Sequence, residues 1–266
     1  MFNVGLDARL WNKLNFTAEY YIRNTSDILL TLPIPFSTGL AAPYQNAGEV
    51  RNTGYDISVG YNGRAGKLDY GIDFVFSDVR NRITDLENTG PYISGYSIRA
   101  EGHPIDAIYG YKAAGYFQNQ AEVDAHATQF GLVGPGDIKY VDQNKDGVID
   151  ANDRVVLGSG IPRYTYSLNL RANYKGFDFT AYLQGVGKAD AYLSGAGVWG
   201  LQEGSTAYTW HQNHWTPENP NAPYPRLTFG QQNNYQISDF WMHDASYLRV
   251  KNIQIGYTLP RHLLNK

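Results

Sequence analysis

The chain has 266 residues, no cysteine, a formal net charge of −3, 42% hydrophobic residues and a mean hydropathy of −0.43. So small a charge, without any run rich in Lys and Arg, argues against a nucleic-acid partner. No stretch approaches about 18 consecutive apolar residues, which argues against a transmembrane helix. The 22 Tyr outnumber the 11 Phe, and a ring with a polar tip suits a surface that meets both oil and water.

Hydrophobic and polar side chains alternate along most of the chain with the period of two residues that is typical of a β-strand. In residues 164–174, for example, Tyr, Leu and Ala share one face, whereas Thr, Ser, Asn and Arg occupy the other. Taken at every second residue, the predicted apolar faces are Val4 to Leu10, Phe16 to Ile22, Tyr55 to Tyr61, Leu68 to Phe76, Tyr164 to Tyr174, Phe177 to Leu183 and Ile253 to Leu259.

These alternating runs have the length that a membrane-crossing strand needs. They extend over about 9 to 12 residues, which matches a tilted strand across a bilayer. Their second face is small and charged, as in a water-filled barrel, and aromatic residues stand near the strand ends, where a membrane interface would lie. The sequence therefore predicts an all-β fold: an antiparallel transmembrane β-barrel segment, about nine strands of a larger barrel, with long extracellular loops.

Short and long connections alternate along the chain. Short turns are predicted near 12–13, 62–67, 101–105 and 175–176, and long segments at 24–48, 78–95, 118–162 and 188–240. Transmembrane barrels have short periplasmic turns and long outer loops. Segments 118–162 and 188–240 are therefore predicted to be extracellular loops, the second rich in aromatic residues, in one barrel domain that takes in residues 1–266.

The expected strand number indicates a longer protein. Bacterial single-chain barrels have an even number of strands, and an open sheet edge would leave backbone groups unpaired in lipid. The N-terminus lacks the basic start and apolar run of a signal peptide. We therefore expect this chain to be a piece of a longer protein, with strands missing on at least one side.

Two local features depart from the strand pattern. The hydrophobic residues change phase between Val250 and Ile253, which predicts a β-bulge near Lys251–Asn252. Residues 120–130 carry a helical pattern, which we interpret as a surface helix inside the loop 118–162.

Residues 142–153 have the spacing of a calcium loop, D-x-N-x-D-G-x-x-D-x-x-D. Calcium is a hard cation that takes about six to eight oxygen ligands. The predicted ligands are the side chains of Asp142, Asn144, Asp146, Asp150 and Asp153 and the backbone carbonyl of Val148. Because the flanking helices of an EF-hand are missing from the pattern, we expect Ca²⁺ to be a structural clip of a long outer loop. The alternative is a solvated Asp/Asn/Gly turn.

Aromatic residues concentrate in the second long segment and just after it. Trp199, Trp210, Trp215 and Trp241 are the candidate substrate-binding residues, because their rings could stack on sugar rings or dock a partner. The alternative is that they pack the loop onto itself, since a large loop needs a core of its own.

Nothing in the sequence indicates catalysis. It has no G-x-S-x-G, no H-E-x-x-H and no glycine loop that would cradle a phosphate. His211 and His214 alone make a weak metal pair, and loop packing is the favoured role for them. We therefore do not expect an enzyme.

Residues 102–118, 135–186 and 244–260, together with 18–30 and 49–61, form long ordered motifs such as GHPIDAIYGYKAAGYFQ and DASYLRVKNIQIGYTLP. They resemble the carboxy-terminal barrel region of SusC/RagA-type TonB-linked outer-membrane transporters, also called TonB-dependent receptors. The resemblance extends over nearly the whole chain. Three features of the family are not found in this sequence: a plug, a TonB box and a terminal aromatic residue.

The resemblance implies a barrel of about 22 strands with a plug, located in the outer membrane of a Gram-negative bacterium. It implies nutrient import, most often of oligosaccharides and in some members of peptides. The implied partners are a SusD-like surface lipoprotein, the TonB complex through the missing amino-terminal part, an oligosaccharide substrate and outer-membrane lipid. Ca²⁺ as a structural cofactor is predicted from the spacing of residues 142–153.

Three alternatives remain open from the residues. One is a soluble extracellular binding module, rich in β-structure and stabilised by calcium. The second is an importer of peptides rather than glycans. The third is an outer-membrane enzyme barrel, which would need a nucleophile and a base that the sequence does not show.

Overall fold

A computed structural model describes residues 1–31, 37, 39–41, 43–46, 48–87, 89–230 and 232–260. In chain order the strands are β1 (Phe2–Leu10), β2 (Leu14–Thr25), β3 (Leu29–Thr31), β4 (Tyr44–Asn46), β5 (Glu49–Ala65), β6 (Leu68–Asp85), β7 (Tyr92–Ser94), β8 (Ser97–Arg99), β9 (Ala107–Gly110), β10 (Ala113–Tyr116), β11 (Ile138–Tyr140), β12 (Val155–Gly158), β13 (Tyr164–Tyr174), β14 (Phe177–Gly187), β15 (Asp190–Tyr192), β16 (Met242–Asp244) and β17 (Tyr247–Tyr257). The last six residues of the chain, and part of the predicted loop 24–48, lie outside the described residues.

Helical structure is sparse in the described ranges. The one α-helix is α1 (Gln120–Asp124), and short 3₁₀ turns occur at Ala151–Asp153, Gln202–Gly204, Thr209–Gln212, Asn233–Tyr235 and Asp239–Trp241. The predicted helix 120–130 is thus confirmed only over its first half. The helix ends at the cap residue Ala125, and the next residue, His126, has its Nε2 atom 2.8 Å from the carbonyl oxygen of Tyr140. No helix in the described residues is long and apolar enough to span a membrane.

One seven-stranded antiparallel sheet contains all the long strands, in the order β1-β2-β5-β6-β13-β14-β17. Neighbouring strands follow one another along the chain and are joined alternately by a short turn and a long connection. The long connections, residues 26–48, 86–163 and 188–246, therefore leave the sheet at the same end. The predicted alternation of short turns and long loops is confirmed.

Two details of the sequence prediction need correction. The sheet has seven long strands where about nine were expected. The segments 78–95 and 118–162 are not separate loops, because β6 continues to Asp85 and a single connection then runs to Tyr164. The turn near 101–105 lies inside that connection, whose short strands pair with one another in smaller sheets. Alternation over a few residues does not reveal whether a strand joins the main sheet or a loop.

The seven-stranded sheet has one apolar and one polar face. A row of directly paired residues crosses the apolar face: Ala8, Phe16, Val59, Phe74, Leu168, Leu183 and Val250. The next row crosses the polar face: Arg9, Asn15, Gly60, Asp73, Asn169, Tyr182 and Asn252. Many large side chains on the apolar face are exposed. This is the arrangement of a barrel wall that faces lipid outside and water inside.

The predicted β-bulge in β17 is confirmed. Tyr182 pairs with Asn252 and Leu183 with Val250, so that Lys251 is the extra residue without a partner in the ladder. One additional residue restores the alternation, and both halves of β17 keep their apolar side chains on the same face.

The main buried core lies in the loops and not in the sheet. It contains Tyr111, Tyr116, Ile138, Tyr140, Ile149, Trp215, Ala222 and Trp241. These residues come from the connections 86–163 and 188–246, which we call the first and second outer loop. The two loops fold together into one layer at the end of the sheet, and we call it the loop layer.

Candidate functional sites

A buried ion pair joins the two outer loops. Asp137 in the first loop is fully buried, and Arg226 in the second donates to it from Nε and a terminal nitrogen, both at 2.7 Å. The backbone amide of Gly134 and the side-chain amide of Asn234 also donate to this carboxylate, at 2.8 and 2.9 Å. The hydrogen bonds to Asp137 raise the pKa of the Arg226 guanidinium. Four donors on one carboxylate compensate for its removal from water.

A second set of buried hydrogen bonds runs beside this ion pair. The Tyr140 hydroxyl donates to the carbonyl oxygen of Asn233 at 2.7 Å, and the Asn233 side-chain amide donates to the carbonyl of Ile138 at 2.7 Å. The backbone amide of Ile138 donates in turn to the side chain of Asn234 at 2.9 Å. Asn233 and Asn234, together with Gln129, thus bond backbone groups of β11 in addition to its pairing with β10. Burial raises the pKa of the Tyr140 hydroxyl, which stays protonated as a donor.

The predicted calcium loop is a tight turn in which side-chain oxygens accept hydrogen bonds from backbone amides. Asp142 accepts from the amides of Lys145 and Gly147 at 2.6 and 2.9 Å. Asp153 is fully buried and accepts from the amides of Gln143 and Asp150, both at 2.8 Å. Burial alone would raise the pKa of Asp153, but these amides outweigh it and hold the pKa below its ordinary value.

The six predicted calcium ligands therefore lie in one loop of twelve residues, with an oxygen-rich donor set that suits a hard cation. Among the described residues, no three acidic, His or Cys side chains converge closely enough to hold a metal ion. Asn144 and Asp146 are instead hydrogen-bonded to each other at 2.8 Å. Calcium binding by this loop stays a prediction.

The four candidate tryptophans occupy different environments. Trp215 and Trp241 are only 7% and 3% exposed and belong to the core of the loop layer. The Trp241 indole donates to the carbonyl oxygen of Asn234 at 2.9 Å. Trp199 is half-buried and stacks on Tyr235, with ring centroids 5.6 Å apart. Packing thus covers Trp215 and Trp241 and leaves little of either ring for a ligand to contact.

Trp210 is the candidate that stands open to solvent. It is 48% exposed and stacks on Tyr208, which is also exposed, with centroids 4.6 Å apart and an interplanar angle of 6°. Buried His211 holds the pair in place, since its Nδ1 accepts from the Tyr208 amide at 3.0 Å and its Nε2 lies 2.8 Å from the carbonyl oxygen of Val198. Trp210 also borders a cavity of about 320 Å³ together with Tyr224.

Hydrogen bonds and ion pairs cross the polar face of the sheet. Arg171 lies 2.8 Å from Asp73 on the neighbouring strand, and the Asn81 side chain donates to that of Asn52 at 2.8 Å. A wall of this kind presents fixed polar groups to a water-filled interior.

The fold defines the class: a segment of barrel wall with an ordered layer of outer loops. No protein-family model matches the chain. It is similar to the TonB-dependent receptor P26 of Formosa agariphila, with 29% identity over 97% of this chain and 27% of that protein. It is also similar to the TonB-dependent receptor SusC of Bacteroides thetaiotaomicron, with 26% identity over 96% of this chain and 25% of that protein.

Solved structures agree with the fold. The chain matches the structure of the RagAB peptide transporter with a TM-score of 0.80 and 23% identity, over 99% of this chain and 29% of that one. The chain therefore spans about a quarter of the length of the proteins that it resembles. The resemblance to SusC/RagA-type TonB-dependent receptors, the antiparallel barrel fold and the location in a Gram-negative outer membrane are confirmed.

Proposed function

We propose that this chain forms the carboxy-terminal part of the barrel wall, together with two outer loops, in a TonB-energised importer of nutrients. The observation that carries the proposal is the two-faced seven-stranded sheet, with an unbroken apolar row outside and a polar row inside. The similarity to TonB-dependent receptors over nearly the whole chain supports it. In this role the chain catalyses no reaction, but it lines the path of the solute and shapes its entrance.

The partners follow from this role. The loop layer lies at the end of the sheet where a SusD-like surface lipoprotein would cover the barrel. The TonB complex would act through parts of the protein outside this chain. Rigid outer loops suit a capped entrance, because a fixed surface lets a partner dock with little loss of conformational freedom.

Oligosaccharides are the substrates that we propose. The support is the exposed, stacked pair of Tyr208 and Trp210, which offers a flat apolar surface above a cavity. The C–H face of a sugar ring packs well on such a surface. Peptides are the second candidate, and the name of the structurally similar RagAB peptide transporter favours them.

Uptake experiments separate these possibilities. A strain without the gene is tested for growth on oligosaccharides or on peptides as the limiting nutrient, with and without a plasmid copy. Loss of growth on oligosaccharides alone supports the proposal, and loss on peptides alone supports the second candidate. Growth unchanged on both, with the protein recovered in the soluble fraction without detergent, contradicts import and favours the soluble binding module.

The aromatic pair is tested within the same strain. Trp210→Ala removes one ring of the stack and should weaken oligosaccharide binding by about two- to tenfold, the range for an aromatic contact. Phe229→Ala is the control, since Phe229 is exposed in the same loop and lies outside the stack. Equal binding by the two variants would remove the pair from the substrate site.

We also propose that Ca²⁺ binds residues 142–153 and clips the first outer loop. The ion would supply positive charge to the four carboxylates and the amide of this turn. The backbone amides that now satisfy Asp142 and Asp153 hold these side chains toward the inside of the loop. Because the side chains are already held in place, less conformational entropy is lost when the ion binds.

Limited proteolysis tests the clip. Calcium should protect residues 118–162 of the unmodified protein from cleavage, and a chelator should remove the protection. The double variant Asp142→Ala with Asp146→Ala should lose the response, whereas Asp124→Ala, which changes an exposed acid at the end of α1, should keep it. Cleavage that is independent of calcium in the unmodified protein would show that the turn is only a solvated loop.

A further inference from the structure

Three arginines stand on the outward face of the sheet, directly above its apolar surface. On β5 the apolar side chains end at Tyr55, and the same face continues to Arg51. On β6 the apolar side chains end at Phe76, and the same face continues to Arg80 and Arg82. All three arginines are exposed. They lie at the end of the sheet from which the long loops leave.

The strand register gives their height above the membrane interface. Tyr55 pairs with Asp78, and its ring contacts that of Tyr20 at a centroid distance of 5.0 Å, as in an aromatic girdle. Arg80 is two residues beyond Asp78 and Arg82 four, which is about 7 and 13 Å along the strand. The headgroup layer adds about 5–7 Å to each side of the hydrocarbon core. Because barrel strands are tilted, the height of each arginine above the hydrocarbon core is smaller than its distance along the strand. The lowest of the arginines therefore lies at the level of the headgroups.

No contact ion pair neutralises their charges within the described part of the chain, although Asp78 attracts Arg80 at longer range. Arg51 and Arg82 are directly paired across β5 and β6, which is unfavourable for like charges. None of the three takes part in an ion pair there. Arg51 donates to the side chain of Asn24 at 2.8 Å, a neutral partner.

The neighbouring acids are already engaged. Asp78, two residues before Arg80 on the same face, accepts from Nε and a terminal nitrogen of Arg163 at 2.8 and 2.9 Å. Glu101 borders the same groove, and its carboxylate accepts from the backbone amide of Leu86 at 2.9 Å. The amide of Leu86 is neutral and leaves Glu101 charged, but three guanidinium groups against this one carboxylate still give the groove an excess of positive charge.

The arginines line a groove of about 570 Å³. Its wall is polar and includes Thr53, Thr84 and the backbone at Gly102. Gly102 has a φ of +85°, a backbone conformation that favours glycine, and its backbone borders the groove beside Arg82. Guanidinium groups bind phosphate oxygens in pairs, with a geometry that lysine does not reproduce.

We propose that Arg51, Arg80 and Arg82 bind the phosphorylated headgroup of a lipid in the outer leaflet. The groove opens on the face that carries the apolar side chains, so that a lipid can place its phosphate among the arginines and its acyl chains along the apolar surface below. A free anion would gain only the first of these contacts. The site lies outside the barrel and is separate from the path of the solute.

The test measures how much lipid binds to the protein. The protein is produced from its whole gene, including any residues encoded before or after this chain, and is purified in detergent. The probe is lipid A, in its phosphorylated form and after removal of its phosphates. The variant replaces all three arginines with glutamine. The control replaces Arg9, Lys13 and Lys67 with glutamine, which removes the same charge from exposed positions at the opposite end of the sheet.

The arginine variant should bind phosphorylated lipid A at least about tenfold more weakly than the unmodified protein. The control should bind it unchanged, and the unmodified protein should bind the dephosphorylated lipid as weakly as the variant does. Equal loss in both triple variants would reveal a general charge effect and overturn the proposal. Equal binding of the two lipid forms by the unmodified protein would do the same. A matching far-ultraviolet circular dichroism spectrum for each variant confirms that the barrel is folded.

Discussion

The sheet and the loop layer place their hydrophobic side chains in opposite ways. In the sheet they are exposed: Ile255 in β17, for example, is 74% exposed. In the loop layer they are buried, as Trp241 is with 3% exposure. The sheet relies on lipid to cover its apolar face, whereas the loop layer has to build a core of its own in water. One chain thus follows two sets of rules for where hydrophobic residues belong.

The two regions also differ in how they use polar groups. On the sheet, polar side chains cover the face that meets water. In the loop layer several of them are buried and hydrogen-bonded within the protein, as Asp137 is with Arg226. Irregular backbone leaves many groups without a ladder partner, so buried side chains have to satisfy them. Asn233 and Asn234 perform that task for β11.

The largest effect should come from removing a ring in the core of the loop layer. Trp241→Ala leaves a large cavity and should lower the free energy of unfolding of the layer by about 3–5 kcal/mol. Hydrogen exchange of the outer loops measures the change. Leu132→Ala is the control, since Leu132 is 93% exposed. A similarly small effect of both substitutions would mean that the loops have no cooperative core.

A smaller effect should come from placing a charge on the lipid face. Ile253→Arg should lower the free energy of unfolding in lipid vesicles by up to about 2–4 kcal/mol, because the guanidinium enters hydrocarbon. Gln254→Arg, one residue further, adds the same charge to the polar face and should be tolerated. If Gln254→Arg were the more damaging of the two, the assignment of the faces would be reversed.

The smallest effect should come from removing a single hydroxyl group. Tyr140→Phe keeps the ring but removes the 2.7 Å hydrogen bond to the carbonyl oxygen of Asn233, which then keeps the more distant amide of Gln236 at 3.3 Å; the loss should cost about 1 kcal/mol in the loop layer. Tyr174→Phe, at an exposed position near a short turn, should change little. Protease sensitivity of the outer loops reports both. No difference between them would show that water replaces the lost donor.

The sequence predicts the sheet well because its signal is local. Alternation along β13 reveals both of its faces, and a change of phase reveals the bulge at Lys251. The loop layer is harder to predict because its contacts are distant in sequence. Arg226 and Asp137 are 89 residues apart, and no pattern in the sequence links the two. For the same reason the sequence could not tell buried Trp241 from exposed Trp210.

The ion pair between Asp137 and Arg226 has a consequence for the order of folding. Contacts between residues so far apart form slowly, because a long stretch of chain has to be confined before they contribute any stability. Hairpins such as β13–β14 have their partners close by and need no such search. The strands can therefore assemble first, and the closing of the loop layer marks a late stage, at which the proposed entrance takes its final form.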